Sequence, residues 1–394
     1  VSEGDEAELV EVTAFAAGGE GVAREASGRV LFVRGGVPGD RARVRVVEVH
    51  KRFARAEIAE LVRASALRVP PSCRVHGECG GCGWQHVAYA AQLEAKRSIL
   101  QDALARGAGV KPDALAAPLE LTPSPEPYGT RTRARLLFRH GRVGYRRGHS
   151  HELVATSECP ILAPPLARAL AQLAASPPPG SGELALACGD DGAASVSGAR
   201  APGFTARAIW LSAPGGEVAI SPGGFFQAHA TLRGALADAV LASAGRGERA
   251  LELHAGAGFF TLGLAARFGE LVAVESDPRA AADLRANLAR AARTNVRVLA
   301  QRAARALRSA EVAQLAPEVV VLDPPRTGIG ASEAAALARL GARRVVYVSC
   351  DPATLARDLR TLLASGYALA SCRGFDLFPQ TPHLEALALL DRSA

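Results

Sequence analysis

The chain has 394 residues and a net charge of +7, with 48% hydrophobic residues but only 5% aromatic ones. That length suits two or three domains with cores built mainly from Ala, Leu and Val, and the basic excess favours a polyanionic partner such as RNA. No apolar run reaches the roughly 18 residues that span a bilayer, and the acidic start lacks a signal-peptide pattern, so a cytoplasmic, monomeric protein with no membrane partner is expected.

Residues 1–64 alternate with period two in VEVTAF, GRVLFVR, RARVRVVEV and ARAEIAELV, separated by Gly-rich turns. The pattern predicts an OB-like antiparallel β-barrel of four or five strands. Arg41, Arg43 and Arg45 fall on one strand face, opposite Val44 and Val46, and Arg34, Lys51, Arg52 and Arg55 lie near in sequence. Together they predict a nucleic-acid-binding face. The run GEGVAREASGRVLFVRGGVPGDRARVRV resembles the TRAM domain, an RNA-binding barrel of RNA-modifying enzymes.

Residues 65–220 read as a central α+β domain. AYAAQLEAKRSILQDALARG has helical spacing, and TRTRARLLFRHGRVGYRRGHSH reads as a hairpin around a Gly turn. Between Glu126 and Glu152 there are seven arginines and no acid. Arg131, Arg133 and Arg135 share a face, with Tyr128 and Tyr145 close by, a composition suited to gripping RNA. SPPPGSG reads as a surface loop inside this domain.

Three of the seven cysteines, Cys73, Cys79 and Cys82, crowd into PSCRVHGECGGCGWQHV. That density fits metal binding in a reducing compartment better than a disulfide framework. The glycines let three sulfurs turn toward one centre, and Cys159, followed by Pro160, is the candidate fourth ligand. Four thiolates suit an iron–sulfur cluster or a zinc ion. His76 and His86 read as ordinary loop residues, and Cys188 and Cys372 as buried ones.

From residue 221 the pattern becomes strand–helix–strand, as in a C-terminal α/β doubly wound, Rossmann-like domain over 221–394. LELHAGAGFFTL carries Gly256 and Gly258, and Glu275 ends the next strand, AVE. Glycines that admit a ligand to the backbone, followed by an acid for ribose hydroxyls, describe a nucleoside pocket; the missing third glycine favours a ligand without diphosphate, such as S-adenosylmethionine. Asp323, in VVVLDPPR, sits at the carboxyl end of a later strand. Cys350, in VVYVSCDPATLARDL, lies between a strand and a helix that Asp351 or Ser349 can cap. Nearness to a helix N-terminus favours the thiolate, so a reactive cysteine is expected there.

The ordered set CRVHGECGGC, GGFFQ, GAG, LDPPR, SCDPATLARDL and PHLE resembles the iron–sulfur-containing RNA uracil-5-methyltransferases, specifically the TRAM-bearing 23S ribosomal RNA branch. The resemblance spans nearly the whole chain. It implies Cys350 as nucleophile and Glu385 as base, with Cys73, Cys79, Cys82 and Cys159 holding a 4Fe-4S cluster. Gln227, Glu275 and Asp323 would line the S-adenosylmethionine and uracil pocket. His254, Gly256 and Phe259 fall at cofactor-contact positions, although His254 and Phe259 stand where relatives usually carry an aromatic residue and Asn. Transfer RNA, through its T-loop uridine, is the alternative substrate. A non-catalytic iron–sulfur protein of ribosome assembly is the rival of another class, and the presence of both Cys350 and Glu385 argues against it.

Overall fold

The computed structural model describes residues 7–111 and 118–393. Strands Glu8–Glu11, Ala14–Phe15, Gly21–Arg24, Val30–Arg34, Arg41–Val49 and Phe53–Arg63 form one sheet. The first strand lies beside the fifth, followed by the sixth, fourth, third and second. The two edge strands are therefore consecutive in the chain, separated only by Val12 and Thr13, which curls the sheet back toward itself. This corrects the expected four or five antiparallel strands: there are six, and Val30–Arg34 pairs parallel with Phe53–Arg63. Alternation with period two sorts residues between faces but carries no information on strand direction. The inner face buries Val10, Leu31, Val33, Ala42, Val44 and Ala56, while Arg41, Arg43 and Arg45 point to solvent. Part of the basic surface is neutralised internally, since Arg34 pairs with Glu57, Arg43 with Glu60 and Arg55 with Glu20.

A second, antiparallel sheet comprises Arg133–Arg139, Arg142–Arg146, Leu153–Ala155, Ser181–Cys188 and Ala194–Ser197. Its first two strands are the expected hairpin. His140 and Gly141 both take positive φ, 50° and 68°, as a two-residue turn matched to strand twist requires. Helix Pro164–Ala175 packs Leu166, Leu170 and Leu173 against Leu136, Leu184 and Leu186. The loop 176–180 joins this helix to the next strand of the same sheet.

The third sheet has eight strands. Val296–Ala300, Phe268–Glu275, Gly247–Leu253, Val319–Leu322 and Arg344–Ser349 run parallel, in that spatial order. Successive residues feed two cores: Val320, Leu322, Val345 and Tyr347 enter one, and Val319, Val321, Val346 and Val348 the other. Burial on both faces explains why these strands read as unbroken apolar runs. The chain moves outward from Gly247–Leu253 and later returns to Val319–Leu322 on its other side. That reversal creates the crevice at the strands' carboxyl ends where ligands of open α/β sheets bind. Glu385–Arg392 then inserts antiparallel between Arg344–Ser349 and Tyr367–Phe375. Two pieces from before residue 221 join this unit: Glu120–Thr122 extends the sheet, and hairpin Ile209–Ile220 packs on Leu262, Leu284 and Leu288.

Candidate active site and cysteine cavity

Cys350 follows the parallel strand Arg344–Ser349, at its carboxyl end. Glu385 begins the neighbouring antiparallel strand, whose register pairs Ser349 with Ala386. Opposite direction therefore brings the first residue of one strand beside the exit of the other, and the two motifs meet. Glu385 is 1% exposed, and neither of its carboxylate oxygens has a hydrogen-bond partner. Burial, reinforced by Asp323, pushes its carboxyl well above the usual range, with Arg326 opposing.

Asp323 leaves the adjacent strand Val319–Leu322, and its backbone N–H reaches Leu253 O across the topological switch. Gln227 donates from Nε2 to Asp323 Oδ2 at 3.2 Å. Burial nevertheless raises Asp323 to about 7, with the Gln227 hydrogen bond opposing.

The expected thiolate at Cys350 is not what the geometry favours. Burial, then Glu385 and Asp323, push its thiol up to about 12, against an opposing pull from Arg326. The helix Pro352–Ala364 does begin here, but Asp351 already accepts from Ala353 and Thr354 N–H. Those donors are thus spent on the cap, and the sulfur shares its crevice with two acids against one arginine.

The glycine loop follows strand Gly247–Leu253. Gly256 has φ of 56°, and a Cβ placed there would meet nothing within 4 Å, so the backbone is open to a ligand. Its N–H donates to Glu275 Oε2 at 2.8 Å, and Asp277 N–H donates to Oε1 at 2.7 Å. These two bonds fix the carboxylate and leave lone pairs for further donors. His254 takes φ of 62°, and its buried Nε2 has no partner. Phe259 sits edge-on to Phe260. Inward of the loop, Glu252 Oε2 and Thr261 Oγ1 are also buried without partners. Burial raises Glu252 to about 8. Such orphaned polar atoms around an accessible backbone fit a polar, nucleoside-bearing ligand. Glu252 was not singled out as a site residue in the sequence, although an acid inside an apolar parallel strand is a readable signal.

Cys73, Cys79, Cys82 and Cys159 are free thiols lining one cavity of about 430 Å³. The loop is held to the central hairpin by a bridge between Cys79 and Arg147, with Gly80 N–H donating to Arg146 O at 3.0 Å. Buried Gln85 accepts from Cys73 N–H at 3.0 Å, and its hydrogen bond to Cys82 opposes the rise that burial causes there. The Tyr145 hydroxyl, buried with no other partner, faces Cys159 and pulls that thiol down against its burial. Donors aimed at sulfur, with Arg131, Arg133 and Arg135 on the same wall, suit a centre of several thiolates. Among the described residues, no three His, Cys, Asp or Glu side chains converge on a single-ion site. Four thiols lining one cavity suit a zinc ion as well as a cluster. His76 and His86 lie in the loop, as expected, and face each other at 3.1 Å, with His86 buried and His76 half-buried. Cys188 and Cys372 are buried, as expected. No helix among the described residues is long and apolar enough to cross a membrane.

Comparison with known proteins agrees with this construction. Residues 5–59 match the TRAM domain model and residues 221–393 the tRNA (uracil-5-)-methyltransferase model. The chain is 35% identical to the 23S rRNA (uracil(1939)-C(5))-methyltransferase RlmD of Halomonas elongata, over 98% of this chain and 89% of that protein. It is also 35% identical to the protein of that name from Pseudomonas putida, over 97% of this chain and 93% of the relative. Among solved structures it is similar to the Pyrococcus abyssi tRNA (uracil-54, C5)-methyltransferase in complex with S-adenosyl-L-homocysteine. That match has a TM-score of 0.74 and 25% identity, covering 97% of this chain and 100% of that one. With a TRAM sheet at one end, an α/β crevice at the other and relatives matched along nearly its whole length, the chain belongs to the RNA uracil-5-methyltransferase family and is an enzyme of that class.

Proposed function

We propose that the protein methylates carbon 5 of a uridine in 23S ribosomal RNA, in the cytoplasm, through a transient bond between Cys350 and the uracil ring. The observation that carries this reading is the strand register that sets Glu385 beside Cys350 in a buried crevice. The 23S substrate rests on the relatives that bear that name at 35% identity. The structural likeness to an enzyme named for tRNA uracil-54 supports the second reading, a transfer RNA substrate.

Carbon 5 of uracil is a weak nucleophile until a group adds at carbon 6. Cys350 sulfur supplies the electron pair for that bond, and the ring electrons move onto the carbonyl oxygen as an enolate. Burial favours the resting thiol, so its proton leaves to solvent as the sulfur adds, and the thiolate expelled at the end takes one back. Bound S-adenosylmethionine supplies a methyl group on a positively charged sulfur. His254, Gly256, Phe259 and Glu275 would hold it, with Gln227 and Asp323 between it and the base. Glu385 then removes the proton on carbon 5. Those electrons restore the ring double bond and expel Cys350 as thiolate. A carboxyl raised by burial is basic enough for this work near neutral pH. Cys73, Cys79, Cys82 and Cys159 would hold a 4Fe-4S cluster that braces the RNA-facing loop. Extruding the base costs about a few kcal/mol, which arginine contacts to phosphate offset.

Unmodified 23S and transfer RNA transcripts, each incubated with labelled methyl donor and digested to nucleosides, test the assignment. Label in 5-methyluridine from the 23S transcript alone is expected; label confined to transfer RNA overturns it in favour of the second reading. Protein purified without oxygen should be brown and contain iron and sulfide, whereas colourless, iron-free protein removes the cluster.

A further inference from the structure

Glu385 makes no hydrogen bond through either carboxylate oxygen. No polar side chain orients it, so its aim depends on the backbone that carries it. That backbone is the loop 376–384, which joins Tyr367–Phe375 to Glu385–Arg392. The sheet fixes the loop's two ends, because Phe375 pairs with Glu385. Its middle is held by something else.

Helix Tyr89–Ala103 begins seven residues after Cys82 and turns three polar side chains into this loop. Gln92 and Lys96 are both 0% exposed. Gln92 accepts from Gln380 N–H and donates to Gln380 Oε1, each at 3.0 Å, and donates to Trp84 O at 3.0 Å. Trp84 N–H in turn donates to Gln380 O at 3.0 Å, and Gln380 takes the left-handed φ of 67°. Lys96 donates to Asp376 and, at 3.0 Å, to Phe378 O. Tyr89 donates to Asp376 Oδ2 at 2.7 Å and accepts from Ser124 N–H at 2.8 Å. Ser124 continues to buried His229 at 2.8 Å, two residues beyond Gln227. A buried, fully hydrogen-bonded polar network in an otherwise apolar core specifies one geometry and resists small displacements.

We infer that Tyr89, Gln92 and Lys96 are positioning residues: they set the loop before Glu385 and the segment beyond Gln227 from a single helix anchored beside the cysteine loop. This rests on the reading of Glu385 as the base. A loosened loop should leave RNA binding and cysteine addition intact, and slow the final proton removal.

Two variants test it beside Glu385→Gln. Gln380→Gly keeps the left-handed backbone and removes the side chain that Gln92 holds. Lys96→Met combined with Asp376→Asn removes the ion pair without stranding a charge. Each is assayed for kcat and KM with RNA, for thermal unfolding, and for protein–RNA adduct on denaturing gels. The expected result is a fall in kcat of about ten- to a hundred-fold with little change in KM, and adduct that accumulates as in Glu385→Gln. If the double variant does not fold, Gln380→Gly alone decides. Unchanged kcat, or lost kcat without adduct while Glu385→Gln accumulates it, overturns the inference and leaves the base assignment intact. Absence of adduct in Glu385→Gln itself overturns both.

Discussion

Two buried carboxyl sites behave in opposite ways. In the TRAM sheet, Asp40 is 0% exposed, yet its carboxyl lies below the ordinary range. Burial pushes it up, but Arg68 answers with hydrogen bonds at 2.8 and 2.6 Å, joined by Ser65 and Val37 N–H. In the crevice, Glu252 and Glu385 are almost as hidden and Asp323 is half-buried, and all three are raised by burial. No ion pair to any of the three occurs among the described residues; Gln227 donates to Asp323, and Thr261 only partly offsets the burial of Glu252. Burial alone does not set a carboxyl's character; the donors around it do. The first site is built to hold the fold, and the second keeps its acids unspent.

The largest effect should come from the crevice: Cys350→Ala is expected to abolish methyl transfer while retaining RNA binding, read by labelled-methyl assay and gel shift. Retained turnover would remove the sulfur from the chemistry and leave the acids without a purpose. Next, Asp40→Ala should destabilise the TRAM sheet by about 3 kcal/mol, because Arg68 loses its buried partner. Denaturant unfolding measures this, and a change below about 1 kcal/mol would erase the contrast.

The pH responses should have opposite signs. Asp40, with a lowered folded pKa, contributes stability above its unfolded pKa that is lost as pH falls. Glu252, raised from 4.5 to about 8, keeps its proton when folded and releases it when unfolded, so it costs stability as pH rises through that window. Glu252→Gln should therefore be more stable than the parent at pH 8, by about 2 kcal/mol after the unpartnered amide is counted, with the gap closing toward pH 5. Thermal melts at several pH values decide this. The smallest effect belongs to an ordinary cap. Asp277 accepts from Arg279 and Ala280 N–H at 2.8 and 2.9 Å, and Asp277→Ala should cost about 1 kcal/mol at every pH above the carboxylate range.

Much of the crevice is legible in sequence because its parts sit at strand ends inside short motifs: Cys350 in SCDP, Asp323 in LDPP, Glu275 ending AVE. Their meeting follows from topology, which an alternating strand–helix pattern announces. The ionisation of Cys350 is not legible in sequence, because a helix N-terminus is a local feature, whereas the acids that oppose it arrive from other strands. Direction within the first sheet was missed for a similar reason, since one side-chain alternation serves parallel and antiparallel neighbours alike. Gln92 and Lys96 left no sequence signal at all. Each is an ordinary polar letter in a helical run, and its partners in the loop 376–384 lie 280 residues or more away.

The insertion of Glu385–Arg392 between two earlier strands has a consequence for synthesis. Domains that emerge first can fold first, but this sheet cannot be filled in the order in which it is made. Until the segment after residue 384 leaves the ribosome, Tyr367–Phe375 and Glu120–Thr122 have no route to the rest of the sheet. A nascent chain of this enzyme therefore acquires its proposed base and the strand that links the outer pair to the sheet in one event.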